Sequence, residues 1–345
     1  MTTTRRTLLG LAAGAALATG LAAPAAAQEV TLTLHQFLPA QANVPKYVLD
    51  VWADKVEADS DGRIKIDRFP SMQLGGTPPE LYDQVVDGVA DIIWTVAGYT
   101  PGRFPRAEVF ELPFIMTNAE AASRAYWDLY ESDMKDADYA DVHMIGVWVH
   151  GPGMIHSSEP ITSVDDLNGV KLRAPTRTTN MLFKELGATP VGMPVPAIPE
   201  ALSKGVIDAT VIPWEVTGAL KVPELVSNHT EFGDAALYTT SFVFAMNKDK
   251  YDSLPDDLKA VIDANSGADF SAFAGKTMAA YDAPSREMAV ELGNNIVELS
   301  PEQVAEWEAA AAPVYDHWKA EMEAAGIDGA DLIERAQALI AKYTN

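Results

Sequence analysis

The element that most constrains this chain is one it uses twice: a helix that stops at a glycine and leads directly into a strand. "YDQVVDGVADIIW" (82–94) and "PEALSKGVIDATVI" (199–212) share that order. In each, apolar residues recur first at helical spacing and then cluster as in a buried strand. Around the first copy, "VTLTLHQF" (30–37) alternates like a strand, and "PKYVLDVWADKVEADSDG" (45–62) places Tyr47, Val48, Val51, Trp52 and Val56 at helical spacing. Asp61-Gly62 breaks that helix and "RIKIDRF" opens another strand. Pro78-Pro79 starts the next helix, which stops near Gly88 ahead of a strand over 90–96.

The same grammar recurs in the second half. "DVHMIGVWVHGPGMIHSS" reads as two strands about Gly151-Pro152-Gly153. "SVDDLNGVKLRAP" and "TTNMLFKELGA" then give a strand and a helix, and "SFVFAMNKDKYDSLP" a strand turning into the helix "DDLKAVIDANSGADF". From about Ser266 the chain reads as helical, rich in Ala and Glu, with no obvious strand. Strands alternating with helices predict an α/β fold. Two copies of one unit predict two similar lobes, with a cleft between them at the strand ends where ligands bind in such folds.

The N-terminus is set apart from this pattern. Residues 1–27 read as an export signal: Arg5-Arg6, a small-residue apolar stretch from Leu8 to Ala23, and Ala25-Ala26-Ala27 after Pro24, with cleavage near Ala27. The arginine pair suits the twin-arginine route, and a general secretory signal fits the same residues. The mature chain is then a periplasmic protein of about 318 residues, more than one core usually serves. No later stretch approaches the roughly 18–20 apolar residues of a membrane helix. There is no cysteine, which excludes disulfides and thiol chemistry.

The chain has 49 acidic and 25 basic residues, and its formal charge of −24 becomes −26 once Arg5 and Arg6 are removed. That balance argues against nucleic acid and anionic membrane surfaces as partners. Catalytic motifs are missing: six histidines (35, 143, 150, 156, 229 and 317) show no metal spacing, and no nucleophile elbow, Walker loop or dinucleotide fingerprint occurs. No cofactor is implied. Acid pairs such as Asp165-Asp166 and Asp256-Asp257 precede helices, where carboxylates act as caps.

"KLRAP" differs from these. Pro175 stops a strand two residues after Arg173, leaving a guanidinium at the strand end, and a guanidinium is a forked donor suited to a carboxylate. Spacing alone leaves open whether that carboxylate belongs to a ligand or to the chain itself.

At this point a family resemblance enters. "SVDDLNGVKLRAPTRTTNMLFKELGATPVGMPVPAIPEALSKGVIDATVIP" (163–213) resembles the core signature of the dicarboxylate-type solute receptors of tripartite ATP-independent periplasmic (TRAP) transporters. The likeness extends in order to "PSMQLGG", "ELYDQVVDGVADI", "RFPRAEVFELPFI" and "MNKDKYDSLPDDLK". It implies a two-lobed periplasmic binding protein, type II-like, with interleaved lobes. The first lobe would hold 28–151 plus about 240–278, and the second 152–239 plus about 279–345. A long lobe-spanning helix would run through "SGADFSAFAGKTMAAYDAPSREMAVELG", kinked near Asp282 by Pro284. The function implied is a monomeric receptor that is not an enzyme and hands a small organic acid to a membrane permease. An enzyme on the same scaffold, or a receptor serving a membrane sensor, are the competing readings.

Carried over by position, Arg173 is the carboxylate-binding arginine and Thr176 a polar ligand contact. Phe37, Trp94 and Tyr99 match cleft-facing loops, and Val195 follows the Pro-rich crossing. The resemblance implies that some members with polar sugar-acid ligands carry a second arginine where this chain has Gly153, and an asparagine where it has Ile212. Those departures predict a monocarboxylate with an apolar or aromatic body, because unpartnered polar ligand groups cost about 1–3 kcal/mol each when buried. Phe37, Trp94, Tyr99 and Trp214 are candidate stacking walls, each equally readable as core, and His150 or Arg177 supplies a second polar contact. Arg177 sits at a helix start where the dipole disfavours a cation, so it either reaches the ligand or crosses to a carboxylate of the other lobe. Glu215 is a minor candidate metal ligand, with helix capping as the competing reading.

Overall fold

The computed structural model describes residues 28–344, so the expected signal segment 1–27 lies outside the described residues. The eleven strands found among them separate into two sheets. The first contains β1 (Val30–His35), β2 (Ile64–Phe69), β3 (Ile92–Val96), β4 (Val142–Val149) and β10 (Ser241–Asn247), in the order β2-β1-β3-β10-β4. The second contains β5 (Gly153–Ser157), β6 (Lys171–Ala174), β7 (Thr189–Gly192), β8 (Ala209–Pro213), β9 (Asn228–Glu231) and β11 (Asn295–Glu298), in the order β11-β9-β5-β8-β6-β7. Each sheet is the floor of one lobe, and the fold is a mixed α/β pair of lobes.

Local chemistry explains the first half of each lobe. β1 pairs in parallel with both β2 and β3, which requires helical crossovers. One crossover is the helix Asp50–Asp59, which buries Trp52, Ala53 and Val56. The other begins with Thr77 and Glu80 closing a capping box around Pro78-Pro79 and continues as the helix Leu81–Val86. In the second sheet β6 pairs in parallel with β7 and β8 through the helices Arg177–Glu185 and Ile198–Ser203.

The two strands about Gly151-Pro152-Gly153 do not pair with each other. β4 pairs with β10, whereas β5 pairs with β8 and β9, so this turn carries the chain from one lobe to the other. The chain returns between β9 and β10, and it crosses a third time at Tyr281, which separates the helix Ala268–Ala280 from the helix Asp282–Glu291. The break falls one residue before the expected kink. Pro284 costs the second helix little, because it lies in the first turn, where its missing N–H has no partner to lose. The crossings are tied side by side: Thr239 Oγ1 donates to His150 O at 2.9 Å and Gly153 N to Tyr238 O at 3.0 Å.

Two expectations for the C-terminal third need correction. A short strand, β11, occurs after Ser266 and pairs in parallel with β9; its edge position and partial exposure give it no buried alternation to read. The last helix, Gly329–Thr344, expected in the second lobe, packs instead on the helix Ala119–Leu129 of the first. Leu332, Ala336 and Ile340 form its buried face. Arg335 pairs with Asp133, and Tyr343 donates to Asp128 at 2.7 Å. A C-terminal position does not dictate which lobe an amphipathic helix covers.

β4 is an edge strand that lies in the core, so its free N–H groups need partners. Ser271 Oγ accepts from Val147 N and Ser123 Oγ from Val149 N, both at 3.1 Å. Ser123→Ala and Ser271→Ala should each lower unfolding stability by about 1–3 kcal/mol, since each strands a buried donor. Urea unfolding midpoints check this, and midpoints equal to the wild type would mean the serines are not needed there.

Candidate functional site

A cavity lies where the two lobes meet. The first lobe lines it with Phe37, Leu38, Trp94, Val96, Tyr99, Thr240 and Phe242. The second contributes Arg173, Pro175, Val195, Ile212, Pro213, Glu215 and Val216, while His150 and Tyr238 stand beside the lobe crossings and Met278 reaches in from the helix Ala268–Ala280. The wall is mostly aromatic and aliphatic, with a few polar groups set into it.

Arg173 is the third residue of β6, in register with Val191 of β7 and Thr210 of β8. Its side chain is 1% exposed. Nε donates to Met193 O at 2.9 Å and Nη1 to Val211 O at 3.0 Å, and the Tyr99 hydroxyl also interacts with the guanidinium. These partners are neutral, and no ion pair to Arg173 occurs among the described residues. Burial lowers its pKa, opposed by Tyr99 and Tyr238, but a guanidinium remains charged in proteins. Spacing leaves open whether this cation serves its own chain; the fold supplies it with no counter-charge.

Aromatic rings form the opposite wall. Phe37 stacks on Trp94 with centroids 4.6 Å apart, and Trp94 stacks on Phe242 at 5.3 Å. Trp94 Nε1 is buried and without a hydrogen-bond partner. Tyr99 meets Phe37 edge-on at 5.8 Å, and its hydroxyl accepts from Val195 N at 2.9 Å, bridging the lobes. His150 Nδ1 lies 2.5 Å from Gly151 O, which can only accept, so Nδ1 carries the proton and Nε2 accepts from Thr240 Oγ1 at 3.1 Å. Burial pushes its pKa down to about 4, so His150 is neutral.

The structure thus gathers Phe37, Trp94, Tyr99, His150, Arg173, Val195, Ile212 and Glu215 on one cavity, and places Trp214, Thr176 and Arg177 elsewhere. Trp214 faces the back of the second lobe. Its Nε1 donates to Glu231 at 2.8 Å, its ring packs on His156 and His229, and Met154 and Ala289 complete that cluster. Pro213 and Glu215 meet the cavity on either side of it, because successive residues leaving a strand end point to different sides. Thr176 is the N-cap of the helix Arg177–Glu185, with Oγ1 accepting from Thr179 N at 3.3 Å. Its methyl group packs against Gly98 of the first lobe, where an added Cβ would come within 2.4 Å.

Arg177 crosses between the lobes. Its Nε donates to Glu108 Oε1 at 3.1 Å, and its Nη groups pair with Glu108 and Glu321. Trp318 Nε1 also donates to Glu108, at 3.1 Å. These two carboxylates offset the unfavourable helix dipole at that position. Burial raises the Glu108 pKa and Arg177 opposes it.

Tyr238, Thr240, Phe242 and Met278 escaped the sequence reading. Phe242 carries a faint signal, one of two phenylalanines on the same face of the strand "SFVFAMN". Tyr238 has its signal in an absence: a Cβ on Gly153 would lie 2.0 Å from its ring. The position where polar-ligand members carry an arginine therefore makes room here for an aromatic side chain.

Glu215 is 3% exposed. Its backbone is fixed from several sides: N donates to Asp282 Oδ1 at 2.9 Å, and O accepts from Asn43 Nδ2 at 2.6 Å and Ser285 Oγ at 3.3 Å. Its Oε2 has no hydrogen-bond partner. Burial first, then the neighbouring Asp282, pushes its pKa up to about 8. No group of three or more His, Cys, Asp or Glu suited to a metal ion exists among the described residues, so Glu215 lacks companion ligands.

A family model described as bacterial extracellular solute-binding protein, family 7, matches residues 35–321. The chain belongs to that family. Among solved structures, a TRAP solute-binding protein from Rhodoferax ferrireducens with copurified benzoate is 48% identical, superposes with a TM-score of 0.90, and covers 91% of this chain and 98% of its own. A marine metagenome TRAP solute-binding protein specific for aromatic acid ligands, in complex with 3-hydroxybenzoate, is 47% identical with a TM-score of 0.90, covering 92% of this chain and 100% of its own. A third, from Bordetella bronchiseptica with bound (R)- and (S)-mandelate, is 27% identical with a TM-score of 0.84, covering 91% and 99%. Members of family 7 are solute-binding proteins, and no helix among the described residues is long and apolar enough to cross a membrane.

A carboxyl whose pKa is raised on folding contributes stability that is full below its unfolded value and is lost as pH rises through the folded one. For Glu215 that window runs from its ordinary value of 4.5 to about 8. Glu215→Gln carries no such dependence, so its stability relative to the wild type should increase steadily from about pH 5 to about pH 8. Thermal melts at a series of pH values test this, and a difference independent of pH would show that Glu215 is ionised throughout.

Proposed function

We propose that this family 7 protein is a periplasmic receptor for an aromatic monocarboxylate, which it encloses between its lobes and delivers to the membrane subunits of a TRAP permease. The observation that carries the reading is Arg173, a fully buried cation with only neutral partners, facing a cavity walled by stacked rings. A ligand carboxylate supplies the missing counter-charge, and charge-assisted pairing is strongest where water is excluded. The buried, unpartnered Trp94 N–H adds a second donor for an oxygen of the ligand. The rings suit a flat apolar body. Gly153 and Ile212 offer nothing to a second carboxylate or to several hydroxyls, which counts against sugar acids and dicarboxylates. The relatives that hold benzoate, 3-hydroxybenzoate and mandelate support the same class.

The receptor works as a monomer and performs no chemistry on its ligand. His150, the wall's candidate base, has both ring nitrogens engaged and is neutral. Arg173, Trp94, Phe37, Tyr99, His150, Val195 and Ile212 form the binding residues. Arg177 and Thr176 act at the seam: Tyr99 to Val195, Asn43 to Glu215 and Arg177 to Glu108 all join one lobe to the other. These bonds hold the closed form, and their rupture opens it.

Benzoate at about 100 times its dissociation constant should stabilise the mature protein by about 2.7 kcal/mol, seen as a raised melting temperature. Arg173→Ala should weaken binding by roughly 30-fold or more, the consequence of losing about 2 kcal/mol or more from a buried charge pair. Calorimetric titration with benzoate, succinate and a hexuronate tests both statements. High affinity for the hexuronate with none for benzoate, or affinities indifferent to Arg173, would sink the reading.

Arg177→Met should speed ligand release about tenfold or more, since hydrogen bonds to charged groups are worth about 1.5–3 kcal/mol and these form across the closed seam. Stopped-flow tryptophan fluorescence measures the rate; release as slow as in the wild type would mean that Arg177 has no part in closure.

A further inference from the structure

We propose that Glu215 reads a hydroxyl group on the ring of the bound aromatic acid, so that the receptor prefers hydroxylated aromatic carboxylates over unsubstituted ones. This inference rests on the aromatic-carboxylate reading above. The cavity has two polar poles. Arg173 is one, and Glu215 is the other; they form no ion pair with each other, Arg173 answering to Tyr99 and Tyr238 and Glu215 to Asp282. A ligand whose carboxylate sits on Arg173 therefore leaves Glu215 to meet a different part of it.

Apart from the Tyr238 hydroxyl, several polar wall groups near these poles are occupied. Both nitrogens of His150, the Tyr99 hydroxyl and two nitrogens of Arg173 have partners. Glu215 Oε2 does not, although it is buried, and its backbone is held by Asp282, Asn43 and Ser285. Another buried, unpartnered polar atom on this wall, Trp94 Nε1, is a donor and suits an anionic oxygen. A hydroxyl is the neutral group that satisfies a carboxyl in either protonation state, donating to a bare oxygen or accepting from a protonated one. A second carboxylate fits less well, because a nearby carboxyl must then stay protonated. The apolar surroundings already hold Glu215 in that neutral direction, which lets it share a cavity with the ligand's own carboxylate without repulsion.

The test is calorimetric titration of the mature receptor with benzoate, 3- and 4-hydroxybenzoate, and the matching fluorobenzoates, which resemble the hydroxyl in size but cannot donate. The wild type should bind one hydroxy isomer about tenfold more tightly than its fluoro counterpart. In Glu215→Leu and Glu215→Ala that ratio should fall to about one, and Glu215→Gln, whose amide also donates and accepts, should retain most of it. The ratio is read within each variant, so a general loss of affinity does not mimic the effect. Wild-type ratios of about one for both isomers, or a ratio that survives in Glu215→Leu and Glu215→Ala, overturn the proposal while benzoate binding leaves the receptor reading standing. Absence of binding by every aromatic acid in the wild type overturns both.

Discussion

A cation stripped of water and given no counter-ion is the constraint around which this molecule is arranged. Arg173 sits at the end of β6 with its guanidinium held by two backbone carbonyls and a tyrosine hydroxyl. Burying a charge without a partner is costly, and neutral dipoles recover only part of the loss. The chain has 49 acidic residues and places none of the described ones against it. The carboxyl that does line the cleft, Glu215, is pushed toward its neutral form by burial and so competes little for the arginine. The surrounding fold follows from this need: β8 and the segment just after β7 supply the carbonyls, and Pro175 ends the strand where the first lobe must approach.

That approach depends on small or absent side chains at the seam. Gly98 lets the Thr176 methyl group come within contact distance, and Gly153 admits the Tyr238 ring. The same positions shape selectivity. Where an arginine would bring a second charge, the chain installs a ring and closes off the volume. Under the proposed function, occupied space then favours an apolar ligand body as much as missing hydrogen-bond partners do.

Much of the fold was legible because it rests on local patterns. The alternation in 30–37, the breaks at Asp61-Gly62 and Gly88, and the mostly apolar run of β3 each encode an element without help from distant residues. β7, β9 and β11 were not legible: "TPVG", "NHTE" and "NIVE" are four-residue strands with little alternation, held in place by neighbours. Arg173 stood out because a charge between apolar residues just before a proline is unusual. Trp214 misled for the opposite reason. Its neighbours on both sides line the cavity, and only the hydrogen bond to Glu231 and the packing on His156 and His229 turn its ring the other way. Tyr238 and Phe242 come from a return crossing about 65 residues beyond Arg173, and nothing local connects them to the cleft.

Of the four chain crossings, three, at Gly151-Pro152, between β9 and β10, and at Tyr281, lie beside one another, and the first two are laced together by Thr239 with His150 and Tyr238 with Gly153, while the fourth leads to the last helix, Gly329–Thr344, on the first lobe. A single covalent link would let the lobes swivel, twist and slide. Three adjacent links permit chiefly one rotation, as pins along one edge of a door do. The shape presented to a membrane partner is then a function of a single angle, and that angle is set by whether the far side of the cavity is bridged. A ligand that joins the two walls is converted into a position of the outer surface some distance away, with no need for any residue to change its fold.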